Sequence, residues 1–388
     1  MNIKTTLKSS VAAAALFAIA APVAPSVNAA DDTLKSGNKN SLKISGYVSR
    51  SVFYADDSES EQLFQSDGGV STTRVRWIAN GTVNETVTAG AMIEMSLPQS
   101  NAQGSLSLAG AATGPAGATD SASASTWGIR HQFVWVKHKK MGKISLGRTN
   151  AASNGRSEVT FSAVNMIDDS SASNFGDGIN FIDTTGATPS ISTITVGAAY
   201  TNIDGRGRND VIRYDSPRFA GLTVAVSALE GGDWDIGADY RMKTGPVKIR
   251  IGAQHNNNAS TSVTVGGSTS ISMAALHDSG VNGTFAYGQQ HLIETPGRGS
   301  DPRFIYFNVG YRAKIFGVGG TNFSFSLNQT DDLQANNSEG TAIGLTVAQL
   351  FDPIGSNIGL SYKNYSFDSN TNNFEDVDVI TLQTIFNF

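Results

Sequence analysis
The chain has 388 residues, with 41 Gly, 10 Pro, no Cys and a formal charge of −5. The missing cysteine excludes a disulfide framework, a thiolate metal site and thiol chemistry, and the charge excludes the basic surface of a general nucleic-acid binder. A mean hydropathy of −0.15, with no long apolar run beyond the N-terminus, excludes transmembrane helices. A transmembrane β-barrel stays open, because its apolar residues alternate with polar ones and never raise the average.

The N-terminus comes first. Lys4 and Lys8 precede an apolar run, Val11–Ala21, that Pro22 ends. The run is too short to span a bilayer and reads as an export signal. Val27-Asn28-Ala29 supplies short residues at −3 and −1, so the signal peptide is placed at residues 1–29, with Ala30 as the alternative last residue. A mitochondrial presequence would normally be rich in Arg. The mature chain, 30–388, keeps 26 basic and 33 acidic residues, a net of −7.

Almost all of that mature chain alternates with period two. Trp234, Ile236, Ala238, Tyr240 and Met242 interleave with Asp233, Asp235, Gly237, Asp239 and Arg241. Val247, Ile249 and Ile251 interleave with Lys248, Arg250 and Gly252. Ile305, Phe307, Val309 and Tyr311 interleave with polar or small residues, as do Phe323, Phe325 and Leu327. Strict alternation puts one set on each face of a sheet. The segments run to about nine to thirteen residues, against five or six for soluble strands, and tilted strands of that length cross a hydrocarbon layer.

In chain order the predicted strands are 42–54, 71–80, 86–96, 125–138, 142–149, 208–215, 221–229, 233–243, 246–256, 268–277, 282–291, 303–313, 321–330, 340–350, 357–367 and 376–388. Short turns rich in Gly, Pro and Asp alternate with long loops, the longest being the third, 150–207. The fold class is therefore all-β, a transmembrane antiparallel barrel of 16 strands with long external loops. Lipid admits no open sheet edge. Ile191–Tyr200 also alternates. It is either an ordered part of the third loop or half of a hairpin with Gly178–Asp183, which would make 18 strands.

At this point the sequence resembles the general diffusion porins of Gram-negative outer membranes. Tyr214-Asp215-Ser216-Pro217-Arg218-Phe219-Ala220-Gly221 is similar to the turn that follows their third loop. Gly142–Arg148 is similar to the strand that enters it, and Lys43–Val48 to the opening strand. Phe388, with Phe386 in its alternating set, resembles the terminal aromatic signal read by the outer-membrane barrel assembly machinery. The resemblance implies a homotrimer in the outer membrane, crossing it many times. It also implies a water-filled channel for small hydrophilic solutes, narrowed by an inward-folded third loop whose acids face wall arginines.

On that geometry the candidate constriction residues are Arg74, Arg76, Arg130, Arg148 and Arg213, with Glu94, on the wall, and Asp168, Asp169 and Asp177 on the loop. Arginine stays charged at any accessible pH, and on a lipid face each would cost roughly 2–4 kcal/mol at mid-depth. Arg148 shares the phase of Ile144 and Leu146, so a bulge near Gly147 would be needed to turn it inward. Arg50 shares the apolar phase of Val48 and Val52, which suits a subunit contact, a bulge or a misread phase equally well.

No cofactor or metal site is predicted. The pairs Asp56-Asp57, Asp331-Asp332 and Glu375-Asp376 could take Ca²⁺ or Mg²⁺, bridging lipopolysaccharide phosphates, or be ordinary loop charges. No Gly-x-Ser-x-Gly elbow is present, so a barrel enzyme is disfavoured. The function expected is passive diffusion, with a substrate-selective channel on the same barrel as the alternative.

Overall fold
The computed structural model describes residues 33–35, 40–97, 106–108, 127–258, 262, 264–294 and 299–388; the expected signal peptide lies outside them. The staves are β1 Ser41–Asp56, β2 Arg74–Thr82, β3 Val87–Ser96, β4 Gly128–His138, β5 Gly142–Asn150, β6 Arg208–Asp215, β7 Leu222–Leu229 and β8 Trp234–Thr244. They continue with β9 Val247–Asn257, β10 Val265–His277, β11 Val281–Leu292, β12 Arg303–Phe316, β13 Gly319–Asp331, β14 Glu339–Phe351, β15 Ser356–Asp368 and β16 Val377–Asn387. Each pairs antiparallel with its neighbours, and β16 returns to β1 with Tyr47 opposite Asn387. Phe388 closes the last rung, exchanging backbone hydrogen bonds with Gly46 at 2.8 and 3.0 Å. The barrel is closed with 16 strands, as its alternation predicts.

The second stave is broken in a way the sequence pattern hides. The segment Glu61–Asp67 pairs with the upper part of β1, Arg50–Asp56, while β2 pairs with the lower part, Ser41–Tyr47. Residues 68–73 step out between them. Thr33–Lys35 adds a short antiparallel rung at the start of β1.

The barrel is inside out compared with a soluble sandwich. Ile236, Phe307, Phe325 and Leu345 are 38%, 44%, 41% and 56% exposed. Their opposite-phase neighbours Asp235, Asn308, Ser324 and Thr346 are buried. Leaving such apolar side chains in water forfeits about 1.5–3 kcal/mol each, so this outer face belongs in hydrocarbon.

Ile191–Tyr200 resolves differently from an eighteen-strand barrel. Ser190–Thr195 does pair with Asn180–Asp183, but as a separate two-stranded sheet within the third loop. Thr195 then caps a single helical turn, Val196–Ala199, its Oγ1 accepting from Ala198 N at 3.2 Å, and that cap ends the strand. The hairpin docks on the last long loop, with Thr184 N to Asn373 O and Glu375 N to Ile182 O both at 2.9 Å.

The rest of the third loop runs around the inside of the wall. Ala152 N donates to Ser227 Oγ of β7 at 2.8 Å, and Ser272 Oγ of β10 donates to Arg156 O at 2.5 Å. Arg312 Nε of β12 donates to Phe161 O at 2.6 Å, and Asn328 Nδ2 of β13 to Ser170 O at 2.8 Å. Gln383 Nε2 of β16 donates to Met166 O at 2.9 Å. The polar inner face thus satisfies backbone groups that the loop would otherwise bury unpaired. Gly237 permits the close approach: a Cβ there would stand 2.1 Å from Ala152 O. The largest apolar core lies inside the barrel, where Ile167, Phe175 and Phe181 of the loop meet Phe53, Tyr365 and Val379 of the wall. This packing fills the lumen beside β15, β16 and β1.

Candidate functional site: an arginine-lined lumen
One carboxylate organises the adjoining wall of β2–β4. Glu94 is 3% exposed on the inner face of β3. Arg76 Nη2 lies 2.7 Å from its Oε2, Arg130 Nε 2.9 Å from Oε1 and Arg74 Nη1 3.4 Å from Oε1. His131 Nε2 stands 4.0 Å from the same Oε1 and its Nδ1 lies 3.2 Å from Thr149 Oγ1. The Arg74 guanidinium also lies over the Tyr47 ring, 4.9 Å from its centroid. A register shift opposite Glu94 and Met95 makes Arg130 the extra residue of a bulge in β4. That bulge brings both Arg130 and His131 to Glu94. Arg74, Arg76, Arg130 and Glu94 are therefore brought together as a group, with more positive charge than the single carboxylate cancels.

The other candidates part company with this group. Arg148 is a correction: the ladders to β4 and β6 run through Gly147 without a shift, opposite Gln132 and Asp210. It keeps the phase of Ile144 and Leu146, which are 56% and 55% exposed on the outer face. The bulge that would have turned it inward sits one strand away, at Arg130. Arg213 does take the inner phase, but it clasps Asp215, with Nη2 2.6 Å from Oδ1, and donates from Nη1 to Asn150 O and Ala151 O at 2.9 and 3.0 Å. It fastens the start of the third loop.

The loop acids are likewise corrected. Asp168 is 1% exposed and pairs at 3.0 Å with Lys363 Nζ of β15, a side chain itself 5% exposed. It also accepts from Ser326 Oγ at 2.9 Å. It anchors the loop to the wall rather than facing arginines. Asp169 accepts from Ser171 N at 2.9 Å and Asn174 Nδ2 at 2.7 Å. Asp177 lies against Gly197, where an added Cβ would stand 1.8 Å from its Oδ1, and burial raises its pKa.

A second arginine group escaped the sequence reading. Asp239 of β8, 4% exposed, lies 2.7 Å from Arg241 Nε, 2.6 Å from Arg250 Nη2, 3.6 Å from Arg156 Nη1 and 3.9 Å from Arg218 Nη2. The signal was present. The tight turn at Gly245 fixes the β8–β9 register and sets Arg241 opposite Arg250, two like charges that need a carboxylate between them. Arg206, from the loop, pairs with Asp233 at 2.8 Å.

Among the described residues no group of three or more His, Asp or Glu side chains is placed to hold a metal. Of the acidic pairs, Asp57 Oδ1 accepts from Ser60 N at 2.7 Å, and Asp332 Oδ1 from Asn337 N at 2.6 Å. Both close their own turns.

The loop carries the titratable part of the lumen. Glu158 keeps an exposed side chain, and the protein packed around it, then the nearby carboxylates of Asp204 and Asp169, push it up to about 8. Burial pushes Asp169 up to about 6, against the pull of Lys363. A raised carboxylate is charged above its pKa and neutral below it. Lowering the pH from 9 to 5 therefore removes negative charge from the loop, first at Glu158 and then at Asp169. The zero-current potential in a salt gradient should shift toward anion preference over that range. Glu158→Gln should abolish the upper step; a profile flat from pH 9 to 5 in the unmodified channel would contradict the assignment.

An apolar outer wall, a closed ladder and a charged inner path together define a water-filled transmembrane channel. Comparison with known proteins gives the family: the Gram-negative porin profile matches residues 10–382. This chain belongs to that family and is an outer-membrane porin, a multi-pass barrel for passive diffusion. Family and fold imply a channel rather than an enzyme. Its fold is similar to the anion-selective porin from Comamonas acidovorans (14% identity, 90% of this chain and 100% of that chain, TM-score 0.58). It is also similar to in-vitro folded OmpT of Vibrio cholerae in its trimer form (10%, 90% and 99%, 0.56) and to Salmonella typhi OmpF in complex with daunomycin (13%, 90% and 98%, 0.52). No curated protein matches the sequence.

Proposed function
We propose that this porin favours small anions over cations, and that it does so without enzymatic activity. The carrying observation is the trio of guanidinium groups on the single carboxylate of Glu94. Fixed positive charge along a narrow aqueous path raises the local concentration of anions and excludes cations. The mature chain's net negative charge does not bear on this, because selectivity follows the field inside the lumen. Arg74, Arg76, Arg130 and Glu94 are the residues assigned to this role, and the zero-current potential across a planar bilayer with a salt gradient tests it. An anion-selective sign is expected, and a cation-selective sign at pH 7 would overturn the reading.

We also propose a homotrimer contacting through β1–β5. There the outer face bears aliphatic residues, Val48, Val52, Ile93, Val134 and Leu146, and Arg50 stands in register with Asp67, which is 4% exposed. The alternation does hold at Arg50, and a guanidinium on this face suits contact with protein better than with lipid. Aromatics such as Phe285, Phe307, Tyr311 and Phe323 are carried on β11–β13, the arc left to outer-membrane lipid and lipopolysaccharide. Phe386 and Phe388, 54% and 57% exposed at the closing strand, are assigned as the signal read by the assembly machinery.

A further inference from the structure
We propose that the lumen contains a second station, at the Asp239 arginine group, that binds small oligoanions carrying two or more charges on one compact ion, such as inorganic pyrophosphate. The proposal rests on the anion-path reading and adds a binding site to it. The group draws on separate parts of the fold. Asp239 and Arg241 share the inner phase of β8, Arg250 comes from the adjacent β9, Arg218 from the short turn before β7, and Arg156 from the inward loop.

Charge and placement single it out. Four guanidinium groups face one carboxylate, leaving an excess of three positive charges. The carboxylate is 6% exposed, whereas Arg218 and Arg241 are each 50% exposed. Asp239 therefore sits behind the arginines and orients them, while the exposed forks remain toward the water path. Asp239 holds Arg241 through Nε at 2.7 Å, an edge contact that leaves the outer edge of the guanidinium for a second acceptor. Arg156 is steadied by its Nε donating to Ala152 O at 3.3 Å.

A guanidinium fork matches phosphate and carboxylate oxygens two at a time. A chloride ion meets these arginines one contact at a time and passes. An ion with several oxygens and charges engages more than one fork at once and dwells. The arginines lie on the half of the pore nearer the short turns, since Arg218 belongs to a turn and Arg241 and Arg250 lie near the β8–β9 turn. The station is thus separate in the chain from the Glu94 group.

The test is single-channel recording in potassium chloride with millimolar pyrophosphate added from the short-turn side. The unmodified channel should show resolved, concentration-dependent interruptions. In the double variant Arg241→Gln with Arg250→Gln the half-blocking concentration should rise by about tenfold or more, since two charged forks are lost. Arg218→Gln, in an exposed turn where folding is least at risk, should raise it about threefold. Arg74→Gln with Arg76→Gln should change the zero-current potential and leave the half-blocking concentration within about twofold. An unchanged block in both station variants overturns the station. So does an unmodified channel that is anion-selective yet passes pyrophosphate without interruption. A channel that is not anion-selective overturns the underlying reading instead.

Discussion

Replacing Arg74 and Arg76 together by Gln should move the zero-current potential in a salt gradient toward cations, lowering the anion-to-cation permeability ratio roughly tenfold. A unit charge about 7 Å from the ion path contributes about 0.6 kcal/mol in water, with opposite signs for the two ions. Two such charges would give more than tenfold if unscreened, and salt reduces the effect. Glu94 remains held by Arg130 at 2.9 Å, so the variant keeps a partner for its buried carboxylate. Glu94→Gln should act in the opposite sense and increase anion preference. A double arginine variant with the potential of the parent channel would take both residues off the ion path.

Breaking the anchor between Asp168 and Lys363 should have the largest effect on conductance. Both side chains are almost wholly buried, at 1% and 5% exposure. Lys363→Met leaves the Asp168 carboxylate buried without its cation, a loss of about 3–5 kcal/mol. It also removes the hydrogen bond from Lys363 Nζ to Ala172 O at 3.0 Å. The loop should detach at that point, giving a larger, noisier single-channel current and faster proteolysis within 150–207. Pairing Lys363→Met with Asp168→Leu removes both charges and should restore a quiet channel, because an apolar pair of similar volume replaces a buried ion pair at little cost. Current and cleavage unchanged in Lys363→Met would show that the loop is held elsewhere.

The barrel was legible because a lipid-facing strand writes its two environments into alternate residues. Phe307 and Asn308 need only their order to declare opposite faces. The strand count followed from that and from the turn residues, and each of the 16 staves overlaps a predicted strand, although Glu61–Asp67, the upper part of the second, lay outside them. Local backbone events were not legible. The break at residues 68–73 leaves the period of Glu61–Asp67 intact, and Gly68-Gly69 reads as an ordinary turn. Thr195 ends a strand by capping one helical turn, although Ile194, Val196 and Ala198 continue the alternation.

The site was half legible for the same reason. Arg74, Arg76 and Glu94 lie on regular strands, so their phase was readable. Arg130 and Arg148 differ by a single bulge whose strand could not be chosen from sequence. Asp168 and Asp169 lie in a loop without periodicity, where position depends on which wall groups the backbone meets. Lys363, the partner of Asp168, lies 195 residues further along the chain, and no local pattern joins them.

Spin labels on single introduced cysteines give the most direct measurement, as the chain has no Cys of its own. Labels at Phe307, Phe325 and Leu345 should be relaxed by oxygen, which concentrates in hydrocarbon, and those at Lys243 and Lys248 by a water-soluble nickel complex. The reverse ordering would place the apolar face in water and contradict a transmembrane barrel.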